Sequence, residues 1–323
     1  MEINLPILLF FICIPSAAYC QNNNALTEVA HFGNNPGNLK MFIHAASLPD
    51  TNKLPLVIVL HGCSQTAGAA AELTGWNKLA DINHFVVIYP QQKIWNNPDL
   101  CFNWFNKQEI EKDKGESASI YEMILFAIEH YPVDSTRVFI SGFSAGGTMC
   151  VVMMATHPEL FKSGAVFAGG AYKMATNFAD GFKEMLGSRQ VSNEQLVNNV
   201  REQNPEFKGH YPTMIIYQGL NDPIVHHKNA DILVRQWTGL NGSDSIFSRA
   251  EKSYMGIADI SRVEYHNTSG KTVVIFYEVK NLGHRLMIKP GNKANEGGHL
   301  GWYGINKGFH STYQVAKEFG IIK

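Results

Sequence analysis

Six short apolar runs punctuate the chain, each bounded by turn residues and none alternating with polar positions. They are Leu56–Leu60 (LVIVL), Phe85–Tyr89 (FVVIY), Val138–Ser141 (VFIS), Ala165–Ala168, Met214–Tyr217 (MIIY) and Val273–Tyr277 (VVIFY). Continuous β-branched runs of this length suit strands covered on both faces, as in a parallel sheet. Between them lie segments with apolar residues at helical spacing: Ala70–Asn83, Ser117–His130, Ala145–Thr156, Asn229–Trp237 and a closing stretch around Ser311–Phe319. Strand alternating with helix predicts a doubly wound α/β fold whose site sits at the carboxyl ends of the strands. Two connections exceed a simple crossover. Gly170–Tyr211 is expected to cover the site as a cap, and Thr238–Gly270 to be a surface excursion.

Composition agrees with a large core. Of 323 residues 45% are hydrophobic and 17% are charged, and 27 Lys+Arg against 28 Asp+Glu leave a formal charge of −1. No block of one sign occurs, so neither nucleic acid nor an anionic membrane is expected as a partner. With no repeat and no low-complexity linker, residues 22–323 read as one catalytic domain. Leu5–Pro15 (LPILLFFICIP) is too short to span a bilayer comfortably and leads into Ser16, Ala17 and Ala18. That outline predicts an export signal over residues 1–20 and a secreted or periplasmic mature chain without an integral membrane segment. Only the α-amino group is positive ahead of the run, and the rival reading is a buried N-terminal strand. Tyr19 stands where lipoprotein processing at Cys20 would want a small residue.

Cleavage there removes Cys13 and Cys20. Cys63 and Cys101 sit in loop-like segments after strand-like runs, whereas Cys150 lies in an apolar helical stretch. A disulfide between Cys63 and Cys101 is therefore expected, with Cys150 a buried thiol.

The sharpest chemical signal is RVFISGFSAGG over residues 137–147, which holds G-x-S-x-G with a strand before it and an apolar helix after it. That context marks Ser144 as a nucleophile on a strained turn. A serine hydroxyl needs a base oriented by a carboxylate, and in this fold the order is Ser, acid, His. Asp222 follows Met214–Tyr217 in a loop and is the candidate acid; the alternative is an Asp capping the next helix. His284 follows the last apolar run and is the candidate base. Its main rival is His299, in the Gly-rich stretch GGHLGW. His226 and His227 follow Asp222 too closely, and His310 reads as a cap or surface residue. For the oxyanion, backbone N–H donors are expected from Ala145 and from Cys63 in the loop HGCSQ. His61 reads as a side chain bonded to backbone. No H-E-x-x-H, paired C-x-x-C or G-x-G-x-x-G after a strand occurs, so no metal or cofactor is expected. The aromatics Phe102, Trp104 and Phe105 of CFNWF read either as core or as cleft lining, with Trp104 the candidate substrate contact, as is His299.

These segments resemble the esterase family of poly(3-hydroxybutyrate) depolymerases, related to feruloyl and acetylxylan esterases. The likeness is carried by LVIVLHGCSQTA from Leu56, TGWNKLAD from Thr74, FVVIYPQQ from Phe85, CFNWF from Cys101 and VFISGFSAGGTM from Val138. LGHRLMIKPG around His284 and FHSTYQVAKEFG at the last helix complete it, in order over about residues 40–320. The resemblance implies an α/β-hydrolase fold, the triad Ser144, Asp222 and His284, and an oxyanion hole from Cys63 and Ala145. The substrate implied is a poly- or oligo-(3-hydroxyalkanoate) ester. The alternatives are a feruloyl or acetyl ester on polysaccharide, or a polymer- or carbohydrate-binding protein with a vestigial site. Phe143 stands where the family usually has Leu, Asn292–Gly308 matches no family pattern, and no separate polymer-binding module is expected after the catalytic domain.

Overall fold

The computed structural model describes residues 26–45 and 53–322. The export signal expected over residues 1–20, with Cys13 and Cys20, lies outside the described residues.

The strands are β1 (Thr27–Val29), β2 (Lys40–Ala45), β3 (Leu54–Leu60), β4 (Val86–Gln91), β5 (Val133–Phe143), β6 (Ser163–Phe167), β7 (Thr213–Gly219), β8 (Arg249–Glu251), β9 (Ile260–His266), β10 (Thr272–Val279), β11 (Leu286–Ile288) and β12 (Gly304–Asn306). The helices are α1 (Ala67–Thr74), α2 (Trp76–Asn83), α3 (Lys107–Ile110), α4 (Gly115–His130), α5 (Ala145–Thr156), α6 (Phe178–Met185), α7 (Asn193–Arg201), α8 (Lys228–Leu240) and α9 (Ser311–Glu318).

Ten strands form one sheet in the order β1-β2-β4-β3-β5-β6-β7-β10-β9-β8. The centre, from β4 to β10, is parallel throughout. These six strands hold the six apolar runs of the sequence. Their alternate residues enter two separate cores. Leu56, Ile58 and Leu60 pack on one face with α4, α5 and α8, while Val57 and Val59 pack on the other with α1, α2 and α9. Burial on both faces is why these runs show no polar alternation.

The edges are antiparallel, as the expected mostly parallel sheet allows. β1 pairs with β2, and β2 with β4. The stretch expected as a surface excursion, Thr238–Gly270, contains β8 and β9, and β9 pairs antiparallel with β10 along its length. β9 is only half-buried for six of its seven residues, so it lacks the continuous apolar signature of a central strand. The helix expected over Ala70–Asn83 is two helices. Gly75 takes φ 73° and turns the chain between them, a conformation suited to glycine.

β11 and β12 form a small parallel pair that closes the excursion from Lys289 to Tyr303. Lys78 on α2 fastens that excursion by donating to the carbonyls of Gly291, Lys293 and Glu296 at 2.7–2.9 Å. Gly170–Tyr211 carries α6 and α7, and α7 packs against α5 and α8 on one face of the sheet.

Candidate active site

β5 ends at Phe143 and α5 begins at Ala145, so Ser144 is the single residue of the turn between them, at φ 56°, ψ −121°. Such a backbone is strained for a residue with a Cβ and persists only where its surroundings enforce it. Here the enforcement is steric. A Cβ on Gly142 would lie 2.0 Å from the carbonyl oxygen of Gly146, and one on Gly146 would lie 2.3 Å from that of Leu60. The two glycines of G-x-S-x-G thus let β5, the first turn of α5 and the end of β3 pass at backbone contact. Ser144 N–H donates to the Phe167 carbonyl on β6 at 2.9 Å, which locks the turn to the neighbouring strand.

Asp222 lies three residues past β7, and His284 five residues past β10. β7 and β10 are parallel neighbours in register, so their exits lie side by side. His284 Nδ1 is 2.8 Å from Asp222 Oδ2, and His284 Nε2 is 2.9 Å from Ser144 Oγ. The other carboxylate oxygen of Asp222 accepts from the backbone N–H groups of Ile224 and Val225 at 2.8 and 2.9 Å. The Asp222 side chain is fully buried. A carboxylate with three donors in such a place is oriented on both oxygens. The His284 ring packs against Phe143 with centroids 4.8 Å apart and meets the edge of Tyr303 at 6.4 Å. Phe143, the position where Leu is the usual family residue, therefore forms a wall beside the imidazole.

Cys63 and Ala145 line the same cleft as Ser144. On either side of Cys63 the amides are committed to protein acceptors: Gly62 N–H to Gln65 Oε1 at 2.8 Å and Ser64 N–H to the Asp99 carbonyl at 2.7 Å. A disulfide joins Cys63 to Cys101, and Cys150 is a buried free thiol. Behind this loop, His61 Nδ1 bonds the Gly62 carbonyl at 2.8 Å and its Nε2 accepts from Gln92 N–H at 3.0 Å. This partner set defines a neutral ring, and burial holds its pKa down at about 4.

The cleft, of about 110 Å³, is walled by Trp104, Phe143, Met185, Ile224, Val225 and Tyr303, with Thr148, Gly170, Glu184 and Asn229 as its other lining. Beyond His284 a second groove runs past Pro223, Ile224, Tyr303 and Trp302. Trp302, Phe178, Phe182, Leu186 and Ile224 are exposed.

Trp104 therefore lies in the cleft, but His299 does not. It is exposed on the 289–303 excursion, where its N–H reaches the Leu73 carbonyl at 3.4 Å. His310 departs from the surface or cap reading: it is buried at the start of α9, caps nothing with its side chain, and its Nε2 meets the Thr74 carbonyl at 3.0 Å. Sequence reasoning missed Glu184, Thr148 and Tyr303. Tyr303 follows the exposed GGHLGW stretch, and no local signal distinguishes it. Among the described residues no cluster of three His, Cys, Asp or Glu could hold a metal, and no helix is long and apolar enough to cross a membrane.

Comparison with known proteins places the chain firmly. The family model for the esterase PHB depolymerases matches residues 42–252. A poly(3-hydroxyalkanoate) depolymerase C from Paucimonas lemoignei is 36% identical over 315 residues, 98% of this chain and 75% of the relative. A feruloyl esterase B from Thermothelomyces thermophilus is 31% identical over 225 residues, 68% of this chain and 76% of the relative. Among solved structures, an acetyl xylan esterase from Aspergillus awamori superposes with a TM-score of 0.77 at 22% identity, covering 92% of this chain and all of the other. The fold is that of the α/β-hydrolases.

Proposed function

This chain belongs to the esterase PHB depolymerase family and is a carboxylic ester hydrolase; we propose that it is exported and cleaves poly- or oligo-(3-hydroxyalkanoate) esters through an acyl-enzyme on Ser144. The observation that carries the mechanism is the unbroken chain Asp222–His284–Ser144 at the mouth of an apolar cleft. With its Nδ1–H held by Asp222, the imidazole presents an Nε2 lone pair to Ser144 Oγ. It takes the hydroxyl proton as Oγ attacks the ester carbonyl, and Asp222 stabilises the imidazolium that forms. The N–H groups of Cys63 and Ala145 receive the developing oxyanion, aided by the N-terminus of α5. His284 then protonates the departing alcohol oxygen. The same base activates the water that releases the acid and frees Ser144.

A polyester substrate is supported by the relative that spans 98% of this chain and by the apolar rim of the cleft. Trp104 on the wall meets Phe105 edge-on, and Phe105 meets the exposed Phe178 of α6. On the far side, Ile224 and Trp302 border the groove past His284. An aliphatic polymer would rest on such surfaces without desolvating charge. We read residues 170–211 as the cap of one catalytic domain. Export is supported by the Cys63–Cys101 bridge, since disulfides persist in oxidising compartments.

Release of acid from 3-hydroxybutyrate oligomers and films, feruloyl esters and acetylated xylan should be measured for the wild type and Ser144→Ala. The oligomers are expected to be the best substrates. The variant should fold normally, resist fluorophosphonate labelling and lose on the order of 10⁴ or more in rate. Faster turnover of feruloyl or acetyl esters would reassign the substrate, and a wild-type serine that fails to label would indicate a vestigial site.

A further inference from the structure

Glu184 is the one carboxylic acid that lines the cleft, and the mechanism above leaves it without a task. It sits near the end of α6, is 2% exposed, and neither carboxyl oxygen has a hydrogen-bond partner. Yet it lines the cleft that holds Ser144, Ala145 and Cys63. A buried polar group without a partner is costly to the fold, so such groups in native structures call for an explanation.

The surroundings are built around this carboxyl. Gly170 faces it, and a Cβ at Gly170 would come within 2.1 Å of Glu184 Oε1, so the absence of a side chain makes the space. Gly170 N–H is itself engaged by Thr148 Oγ1 at 2.9 Å and cannot serve the carboxyl. Arg189, the cation with influence here, pairs instead with Asp180 at 2.8 Å. α6 is fastened to the segment that follows Asp222: the Met185 carbonyl accepts from His226 N–H at 2.8 Å and from Asn229 Nδ2 at 3.3 Å. The end of α6 is thus held against the segment that follows Asp222. Burial pushes its pKa well above the ordinary carboxylate range, against a smaller pull from Arg189. The favoured form is the neutral acid, which carries one O–H donor and acceptor capacity besides.

We propose that Glu184 is a specificity-determining residue that hydrogen-bonds an oxygen on the acyl chain of the ester, so that the cleft favours oxygen-bearing acyl groups over plain alkanoyl groups of the same length. The inference rests on the serine esterase reading. In the acyl-enzyme the acyl chain hangs from Ser144 Oγ inside the cleft that Glu184 lines, whereas the alcohol departs past His284. The remaining walls are mostly apolar, so an acyl oxygen entering there loses water and regains a partner at this carboxyl. Discrimination is strongest where buried polar groups would otherwise be left unpaired.

The test compares kcat/KM for 4-nitrophenyl butyrate, 4-nitrophenyl 3-hydroxybutyrate and its 3-O-acetyl derivative in wild type, Glu184→Gln and Glu184→Met. The wild type should prefer the oxygenated pair. E184M should lose about tenfold or more of that preference, read as the ratio of kcat/KM for the oxygenated esters to that for butyrate, and should melt no lower than wild type. E184Q, which keeps a donor, should hold the preference within about threefold. An unchanged ratio in E184M, an E184Q ratio as low as that of E184M, or unfolding of both variants overturns the proposal. Hydrolysis of plain butyrate by the wild type belongs to the esterase reading alone, so the two can fail separately.

Discussion

Replacing Asp222 by Asn alters one atom of the site and should nearly silence it. Oδ1 of Asp222 receives two backbone N–H groups, from Ile224 and Val225. In the variant the amide oxygen must occupy that position, because an NH₂ there would face two donors. The NH₂ then points at His284 Nδ1, which has to answer with its lone pair. The ring proton moves to Nε2, 2.9 Å from Ser144 Oγ, where a lone pair is needed. The base is thus locked in the tautomer that cannot accept the hydroxyl proton. A wrong-tautomer triad loses about 10⁴ in kcat, which is about 5 kcal/mol of transition-state stabilisation. Volume and packing are unchanged, so thermal melts should stay within a few degrees. Initial rates on 4-nitrophenyl butyrate across pH 6–9 give kcat and KM, and the fluorophosphonate labelling rate gives an independent reading of Ser144. A loss of less than about tenfold in a normally folded variant would remove Asp222 from the triad and leave it a loop cap.

Three further outcomes follow from the same geometry. His284→Ala should cost about as much as loss of Ser144, because the pair acts as a unit. His299→Ala, exposed and outside the cleft, should change kcat/KM by less than about twofold on the same ester; the opposite ranking would make His299 the base. Reducing the Cys63–Cys101 bridge opens a loop with a sequence separation of 38, so urea unfolding with and without reductant should differ by about 4 kcal/mol by chain entropy. Turnover should fall with it, as the Cys63 amide loses its anchor; equal stability in both states would refute this. Acid should destabilise the fold through His61 and His310, both held down at about 4 by burial. Between pH 6.5 and 4 the unfolded chain binds protons that the native state refuses. The contribution of these two histidines is therefore complete above pH 6.5 and falls by about 3 kcal/mol per histidine towards the bottom of that window. Glu116, raised to about 8 by burial, and Glu184, also raised, act in the opposite sense over the same range. The difference between wild type and His310→Gln in the shift of urea midpoint from pH 7.5 to 4.5 isolates the histidine contribution, and the variant should lose less stability, or gain more, on acidification. An unaltered slope in that variant would count against the assignment.

Much of the site was legible because its signals are local. A strand ending in G-x-S-x-G needs no distant partner to be read: its glycines are required by the backbone contacts of that one turn. Asp222 and His284 were found by their distance from an apolar run, and strands buried on both faces declare themselves by continuous hydrophobicity. The edges of the sheet were not legible for the converse reason. β9 is half-buried, so Thr238–Gly270 resembled a surface loop even though seven of its residues pair along β10.

The chain by itself determined the order of the proposed nucleophile, acid and base, and the strand ends on which they sit. Sterics and burial act there over a few residues and leave their mark in composition and spacing. Only the tertiary structure decided which histidines are buried, and how the Gly-rich excursion is held by β11, β12 and Lys78. It also turned Glu184 inward. In FADGFKEM that glutamate is indistinguishable from the solvated acids of any amphipathic helix. It becomes a buried carboxyl only because Gly170, Thr148 and the segment after Asp222, between 14 and 45 residues away in the chain, close around it. Its environment is made by contacts between segments, and no pattern within one segment records it.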